Sequence, residues 1–182
     1  RDSSTSRGLG DVYKRQLNSD GSRGDLIKIN GGGYRMPSSP ETLREKVVDE
    51  YGNIRSEEQG YMQGADVFNF VIREIPRDIK RLAEWSGEDL QGLDYYVFHQ
   101  ANNFINTYLA KKLRLDAERI PSTIAKFGNT SSVSVPLTIA SELKGRMEGD
   151  RKLLLSAFGV GMTWGTAVVP FRDLRISDLV EV

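Results

Sequence analysis

The sequence predicts an α/β layered fold, and three observations carry that expectation. Short apolar runs suited to buried strands alternate with segments whose apolar residues recur at helical spacing. The clearest helical segment runs from Gln63 to Trp85, with Val67, Phe70, Val71, Ile75, Ile79 and Leu82 on one face. Two strand-like runs close the chain, Lys152 to Phe158 and Thr163 to Phe171, joined by a glycine-rich turn. Their short connection predicts an antiparallel pair at the edge of a mixed sheet.

The remaining elements follow in chain order. Arg1 to Gln16 has neither helical nor strand periodicity, is rich in Ser and Arg, and lacks the apolar run of a signal peptide. It is similar to the translated sequencing-adaptor tails found at the ends of assembled environmental sequences. Residues 1–16 are therefore expected to be a non-native or disordered tail, and 17–182 the folded unit. Asp25 to Asn30 alternates in part and reads as a strand, broken by Gly31, Gly32 and Gly33. Ser38 to Gln59 is polar, with a short helix expected within Glu41 to Tyr51. Pro76 is expected to kink or divide the long helix, and Ser86-Gly87 to end it.

Leu93 to Phe98 reads as a buried strand. Ala101 to Leu113 reads as an amphipathic helix, with Phe104, Ile105, Tyr108, Leu109 and Leu113 on one side. A short strand is expected at Ile120 to Ile124, and a helix over Ser131 to Met147. Pro136 is tolerable in that helix only near its first turn.

Composition excludes several classes of function. Lys plus Arg and Asp plus Glu each number 25 in 182 residues, so the formal charge is zero. That balance argues against nucleic acid as the main partner, because neutralising phosphates needs an excess of positive charge. The chain has no cysteine, hence no disulfide, no thiolate metal site and no cysteine nucleophile of its own. With no secretory signal, a cytoplasmic setting is expected. Leu153 to Val169 carries no charge, but glycines and threonines interrupt it and it falls short of the ~20 apolar residues of a membrane span.

Three segments carry candidate chemistry. His99-Gln100-Ala101-Asn102 sits where a buried strand gives way to a helix, and function collects at the carboxyl ends of strands in layered α/β folds. His99 is the single histidine; alone it reads more readily as a structural residue than a catalytic one, and its place at a strand-to-helix junction followed by two amides favours the catalytic reading. Gly128-Asn129-Thr130-Ser131 reads alone as a helix-capping string. Phe158-Gly159-Val160-Gly161-Met162-Thr163-Trp164-Gly165 places glycines where backbone can approach a ligand. No helix follows at the spacing a dinucleotide fingerprint requires.

Taken together, these three segments, with Asp20-Gly21-Ser22, Gly24-Asp25 and Met62-Gln63-Gly64 ahead of Val67-Phe68, resemble the C-terminal half of the β-ketoacyl-acyl-carrier-protein synthase III family. The resemblance runs from about Leu17 to Phe171. It implies a thiolase-like fold in which this chain supplies one of two similar halves. It also implies an acyltransferase of fatty acid biosynthesis that condenses an acyl-coenzyme A primer with malonyl on acyl carrier protein. The family's triad is Cys-His-Asn; His99 and Asn129 match its last two members, with the role of stabilising the enolate formed on decarboxylation. The cysteine belongs to the other half, so this chain alone is expected to be inactive.

By the same resemblance, Val160 falls at an oxyanion-hole backbone position where better-known members carry glycine, and Phe158 lines the active site. Gly64 and Asn102 match positions that touch the pantetheine arm, and Lys111 and Lys112 a basic patch that docks the carrier protein. Phe104 stands where many members have arginine. No cofactor or metal is implied beyond the thioester substrates; a homodimer is implied for the full-length protein, with neither nucleic acid nor membrane as partner. Two other readings stay open: a specialised polyketide-type condensing enzyme of the same fold, and a non-catalytic carrier-protein-binding module.

Overall fold

The computed structural model describes residues 14–180. In chain order it contains β1 (Lys14–Ser19), β2 (Ile27–Lys28), α1 (Pro40–Leu43), β3 (Lys46–Val47), β4 (Ile54–Arg55), β5 (Tyr61–Met62) and α2 (Gly64–Ser86). There follow β6 (Tyr95–Phe98), α3 (Asn103–Leu113), α4 (Ile124–Phe127), α5 (Ser134–Glu142), β7 (Asp150–Gly159) and β8 (Thr163–Arg172). The main sheet has the order β1-β8-β7-β6. β6 and β7 run parallel, while β8 is antiparallel to both β7 and β1. The sheet is thus mixed, as expected, with β1 rather than the closing hairpin at its edge.

Side-chain alternation along the strands splits the core into two layers. Tyr96, Phe98, Leu154 and Val168 face one way and pack with Val67, Phe70, Val71, Ile75, Ile79 and Leu82 of α2 and Ile105, Leu109 and Leu113 of α3. Val97 and Leu153 face the other way and pack with Leu143 and Met147, with Val135 and Ile139 of α5 alongside. The parallel register sets Val97 opposite Leu155 and continues past the strand through His99 N–H, which donates to Ser156 O at 2.8 Å. His99 therefore keeps the parity of Tyr95 and Val97 and leans toward α5.

Several local expectations are corrected. β1 begins at Lys14, so three residues assigned to the tail lie in a strand; the rest of that tail falls outside the described residues. Gln16 Nε2 donates to the Asp78 carbonyl, and Asn18 Nδ2 to the Asp78 carboxylate at 2.7 Å, pinning β1 to α2. Of the strand expected at Asp25 to Asn30, only Ile27–Lys28 forms, pairing with β5, and a 3₁₀ turn occupies Gly21–Leu26. The short helix expected within Glu41 to Tyr51 forms only at its start, as α1 capped by Ser39, and a β3–β4 hairpin takes the rest. The hairpin wins because the Asp49 carboxylate accepts from the Tyr51 and Asn53 amides and Gly52 supplies a positive φ.

α2 runs unbroken through Pro76. The ring removes one backbone donor, but Pro76 sits among Val71, Ile75 and Ile79, whose burial holds the helix together. Gly87, at φ 69°, ends it as expected. No strand forms at Ile120 to Ile124: the Thr123 amide donates to the Gln100 side chain at 3.0 Å instead of to a neighbouring strand. The helix expected from Ser131 begins as a 3₁₀ turn and is α-helical only over α5, with Pro136 in its first turn; Gly145, at φ 72°, follows its end.

Candidate active site

The carboxyl end of β6, the entry to α5 and the β7–β8 turn build one region around His99. The ring is half-buried, and that burial holds its pKa below the ordinary 6.5, because a charged imidazolium loses hydration there. His99 Nδ1 and Ser134 Oγ, at the start of α5, lie 2.7 Å apart. The Phe158 ring meets the imidazole edge-on, with centroids 5.2 Å apart. A neutral imidazole against an apolar wall can donate a hydrogen bond without acting as a strong acid.

Asn129 lies in the exposed loop between α4 and α5. Gly128 before it has φ 65° and ψ −153°, a region open essentially to glycine alone. Asn129 Oδ1 accepts from the Ser131 amide at 2.9 Å, which leaves the Nδ2 hydrogens free to donate elsewhere. The hydroxyl of neighbouring Thr130 is buried with no protein partner. The same loop runs on to Ser134, so the Asn129 loop and His99 are tied through that serine.

Asn102 caps α3, its Oδ1 accepting from the Ile105 amide at 2.9 Å, so its amide donors are also free. Gly64 opens α2, and a Cβ built there meets nothing within 4 Å, which marks an open approach. Phe104 does not join the buried face expected for α3: it is 67% exposed and stacks at a tilt on Phe68 of α2, 5.6 Å between centroids. Lys111 and Lys112 are exposed in the last turn of α3, where positive charge also complements the helix dipole.

Val160 is 65% exposed at the β7–β8 turn. Among the described residues the non-glycine positions with positive φ are Arg114, Ser131 and Asp173, so Val160 carries no such strain. Gly161 takes it instead, at φ 132°, where a Cβ would fall 2.5 Å from Thr163 Oγ1. Among the described residues no group of three or more His, Asp or Glu is arranged to hold a metal, and no helix is long and apolar enough to cross a membrane.

Sequence reasoning missed Ser134 and gave Gln100 no role. Gln100 is fully buried: its Nε2 donates to Phe98 O at 2.8 Å, and its Oε1 accepts from Ser122 Oγ and the Thr123 amide. An amide directly after the histidine was the available signal for Gln100. For Ser134 there was none, because its partner lies 35 residues away.

Comparison with known proteins bears on the family and the fold. Residues 83–171 match the family described as 3-Oxoacyl-[acyl-carrier-protein (ACP)] synthase III C terminal. The beta-ketoacyl-[acyl-carrier-protein] synthase III of Streptococcus gordonii is 33% identical over 153 residues, covering 82% of this chain and 44% of the relative. The crystal structure of a 3-oxoacyl-(acyl-carrier protein) synthase from Burkholderia xenovorans superposes with a TM-score of 0.79 at 34% identity, covering 92% of this chain and 46% of that one. The synthase III of Thermus thermophilus gives 0.71 at 27% identity, over 91% and 48%. The chain spans a little under half the length of the curated relatives it matches, 44% of the Streptococcus gordonii protein.

The sheet order, its two helical layers and these superpositions place the chain in the thiolase-like fold class. Within that class, it carries the C-terminal part of the 3-oxoacyl-[acyl-carrier-protein] synthase III family.

Proposed function

We propose that this chain supplies the enolate-stabilising part of a β-ketoacyl-acyl-carrier-protein synthase III-type acyltransferase. A cysteine of the remaining half attacks an acyl-coenzyme A thioester, and the coenzyme A thiol leaves. Malonyl on the carrier protein then loses carbon dioxide, and the electron pair of the broken C–C bond becomes an enolate. His99 and the Asn129 amide donate to the oxygen that gains this charge. The enolate carbon attacks the acyl-cysteine, a new C–C bond forms and the thiolate departs.

The observation that carries this reading is His99 itself: a neutral, half-buried imidazole at the end of a parallel strand, walled by Phe158 and held by α5. Donors fixed beforehand toward developing charge in a site shielded from water are what this chemistry requires. The free amide hydrogens of Asn129 support the same role. The reaction as written needs no metal or further cofactor. Val160 N–H serves the oxyanion of the acyl-transfer step, and Phe158 lines the cavity. Gly64 and Asn102 border the pantetheine path, and Lys111 with Lys112 receives the acidic carrier protein. The complete enzyme is proposed to be a cytoplasmic homodimer, and this chain alone to be inactive for want of a cysteine.

The test joins this chain to the cysteine-bearing N-terminal half of a relative. His99→Ala is expected to lower condensation and carbon dioxide release by roughly 10²–10³, the usual cost of removing one such donor. Transfer of radiolabelled acyl groups to cysteine is expected to remain measurable. Efficient condensation by His99→Ala would overturn the proposal. For docking, changing Lys111 and Lys112 to Glu is expected to raise the KM for malonyl-carrier substrate, and an unmoved KM removes them from that role.

A further inference from the structure

We infer that Ser134 is a positioning residue that decides which nitrogen of His99 carries the proton, leaving Nε2–H as the free donor. The inference rests on the reading of His99 as the enolate donor, since only a protonated Nε2 can serve in that way while Nδ1 is engaged by Ser134.

The argument is one of donors and acceptors. Ser134 is 1% exposed, and among the described residues its hydroxyl has one hydrogen-bond partner, His99 Nδ1. A serine hydroxyl brings one hydrogen, and a neutral imidazole brings one donor and one acceptor nitrogen. If Nδ1 held the proton, it would donate to Ser134 Oγ and the serine hydrogen would be buried with no acceptor. If Nδ1 is bare, the serine hydrogen goes to it and every group is satisfied. Leaving a buried donor unpaired is the costly choice, so the bare-Nδ1 tautomer is selected.

The surrounding hydrogen bonds leave no other outlet for that hydrogen. Thr138 Oγ1 donates to the Ser134 carbonyl at 2.7 Å, so the Thr123 hydroxyl, 2.9 Å from Thr138 Oγ1, must be the donor between those two. The Thr123 amide donates to Gln100 Oε1, and Gln100 Nε2 to the Phe98 carbonyl. This chain of buried contacts ties the start of α5 to the end of β6 on both sides of His99, fixing Ser134 Oγ relative to the ring. The partner of one ring nitrogen sets the state of the other. Phe158 packs edge-on against the ring, whose burial disfavours the charged imidazolium.

His99 is the only histidine of the chain, so its tautomer can be read directly. The 182-residue chain is ¹⁵N-labelled, purified without a histidine tag, and examined by long-range ¹H–¹⁵N correlation above the His99 pKa. The expected result is a protonated Nε2 and a bare Nδ1 whose resonance carries the upfield displacement of an accepted hydrogen bond. In Ser134→Ala the second tautomer is populated, so the averaged Nδ1 and Nε2 resonances draw together; Ser134→Thr, which restores a hydroxyl, returns the original separation. A protonated Nδ1 in the unaltered chain overturns the inference even if no variant folds, and so does a separation of the two resonances that Ser134→Ala leaves unchanged. In the joined enzyme, Ser134→Ala is expected to lower kcat for decarboxylation roughly tenfold, the worth of one hydrogen bond, with KM little changed. The nitrogen spectrum does not depend on catalysis. Condensation that survives His99→Ala therefore removes the functional reading, while a wrong tautomer removes only the role of Ser134.

Discussion

Phe158 meets His99 edge-on, with ring centroids 5.2 Å apart and planes at 86°. The contact joins the ends of two parallel neighbours, β6 and β7, and puts an apolar wall where water would otherwise hydrate the imidazole. Burial of the ring, to which this wall contributes, holds the His99 pKa below its ordinary value.

Phe158→Ala is accordingly expected to raise the His99 pKa toward 6.5, its ordinary value. The stability consequence has a definite sign. Between the lowered folded value and the unfolded 6.5 the unfolded chain binds a proton that the folded chain refuses. Stability therefore falls as pH drops through that window, and Phe158→Ala reduces the slope. An NMR titration of His99 and urea midpoints taken downward from neutral pH measure both effects. Glu88 and Glu142, held below 4.5 chiefly by hydrogen bonds from Lys152 and Lys126, lose their contribution at more acid pH and do not confound it.

Asn129→Asp separates folding from chemistry. The carboxylate still accepts from the Ser131 amide, so the loop and the circular dichroism spectrum are expected to be unchanged. The amide donor is lost and replaced by negative charge facing the enolate. Condensation in the joined enzyme is expected to fall by at least about 10². Activity near the unaltered level would show that the Asn129 amide does not face the reacting oxygen.

Gly128→Ala tests whether backbone strain aims Asn129. At φ 65° and ψ −153° an alanine is strained although its Cβ meets nothing within 4 Å. A stability loss of about 1–3 kcal/mol is expected, together with lower condensation activity. A variant of unchanged urea midpoint would mean that the loop relaxes without cost.

Leu154→Ala probes the layer that carries the site. Leu154 is fully buried between α2 and α3 on the face opposite α5. Its truncation is expected to cost about 2–5 kcal/mol, read as a lower urea midpoint at unchanged m. A loss well below that range would show that α2 and α3 can close over the gap.

What could be read from residue order was whatever depends on near neighbours. The apolar period placed α2 within a residue or two, the Leu93–Phe98 run located β6, and Gly87 marked a helix end, because each is decided by local geometry. The motif set singled out His99, Asn129 and Phe158 for the same reason, as short strings at strand and loop ends. Bounds and pairings of short elements were read less well: of the strand expected at Asp25 to Asn30 only Ile27–Lys28 pairs, because Tyr61–Met62 lies beside it, and Ile120 to Ile124 stays out of the sheet because a buried Gln100 satisfies its backbone. Pleat parity correctly turns His99 toward α5, yet by the same rule Phe158 belongs with Leu154 on the opposite face. Their contact forms only where both strands end and the backbone is released from the sheet. Ser134 met His99 by the packing of α5 on the sheet, a long-range event in which burial leaves the hydroxyl one partner to satisfy.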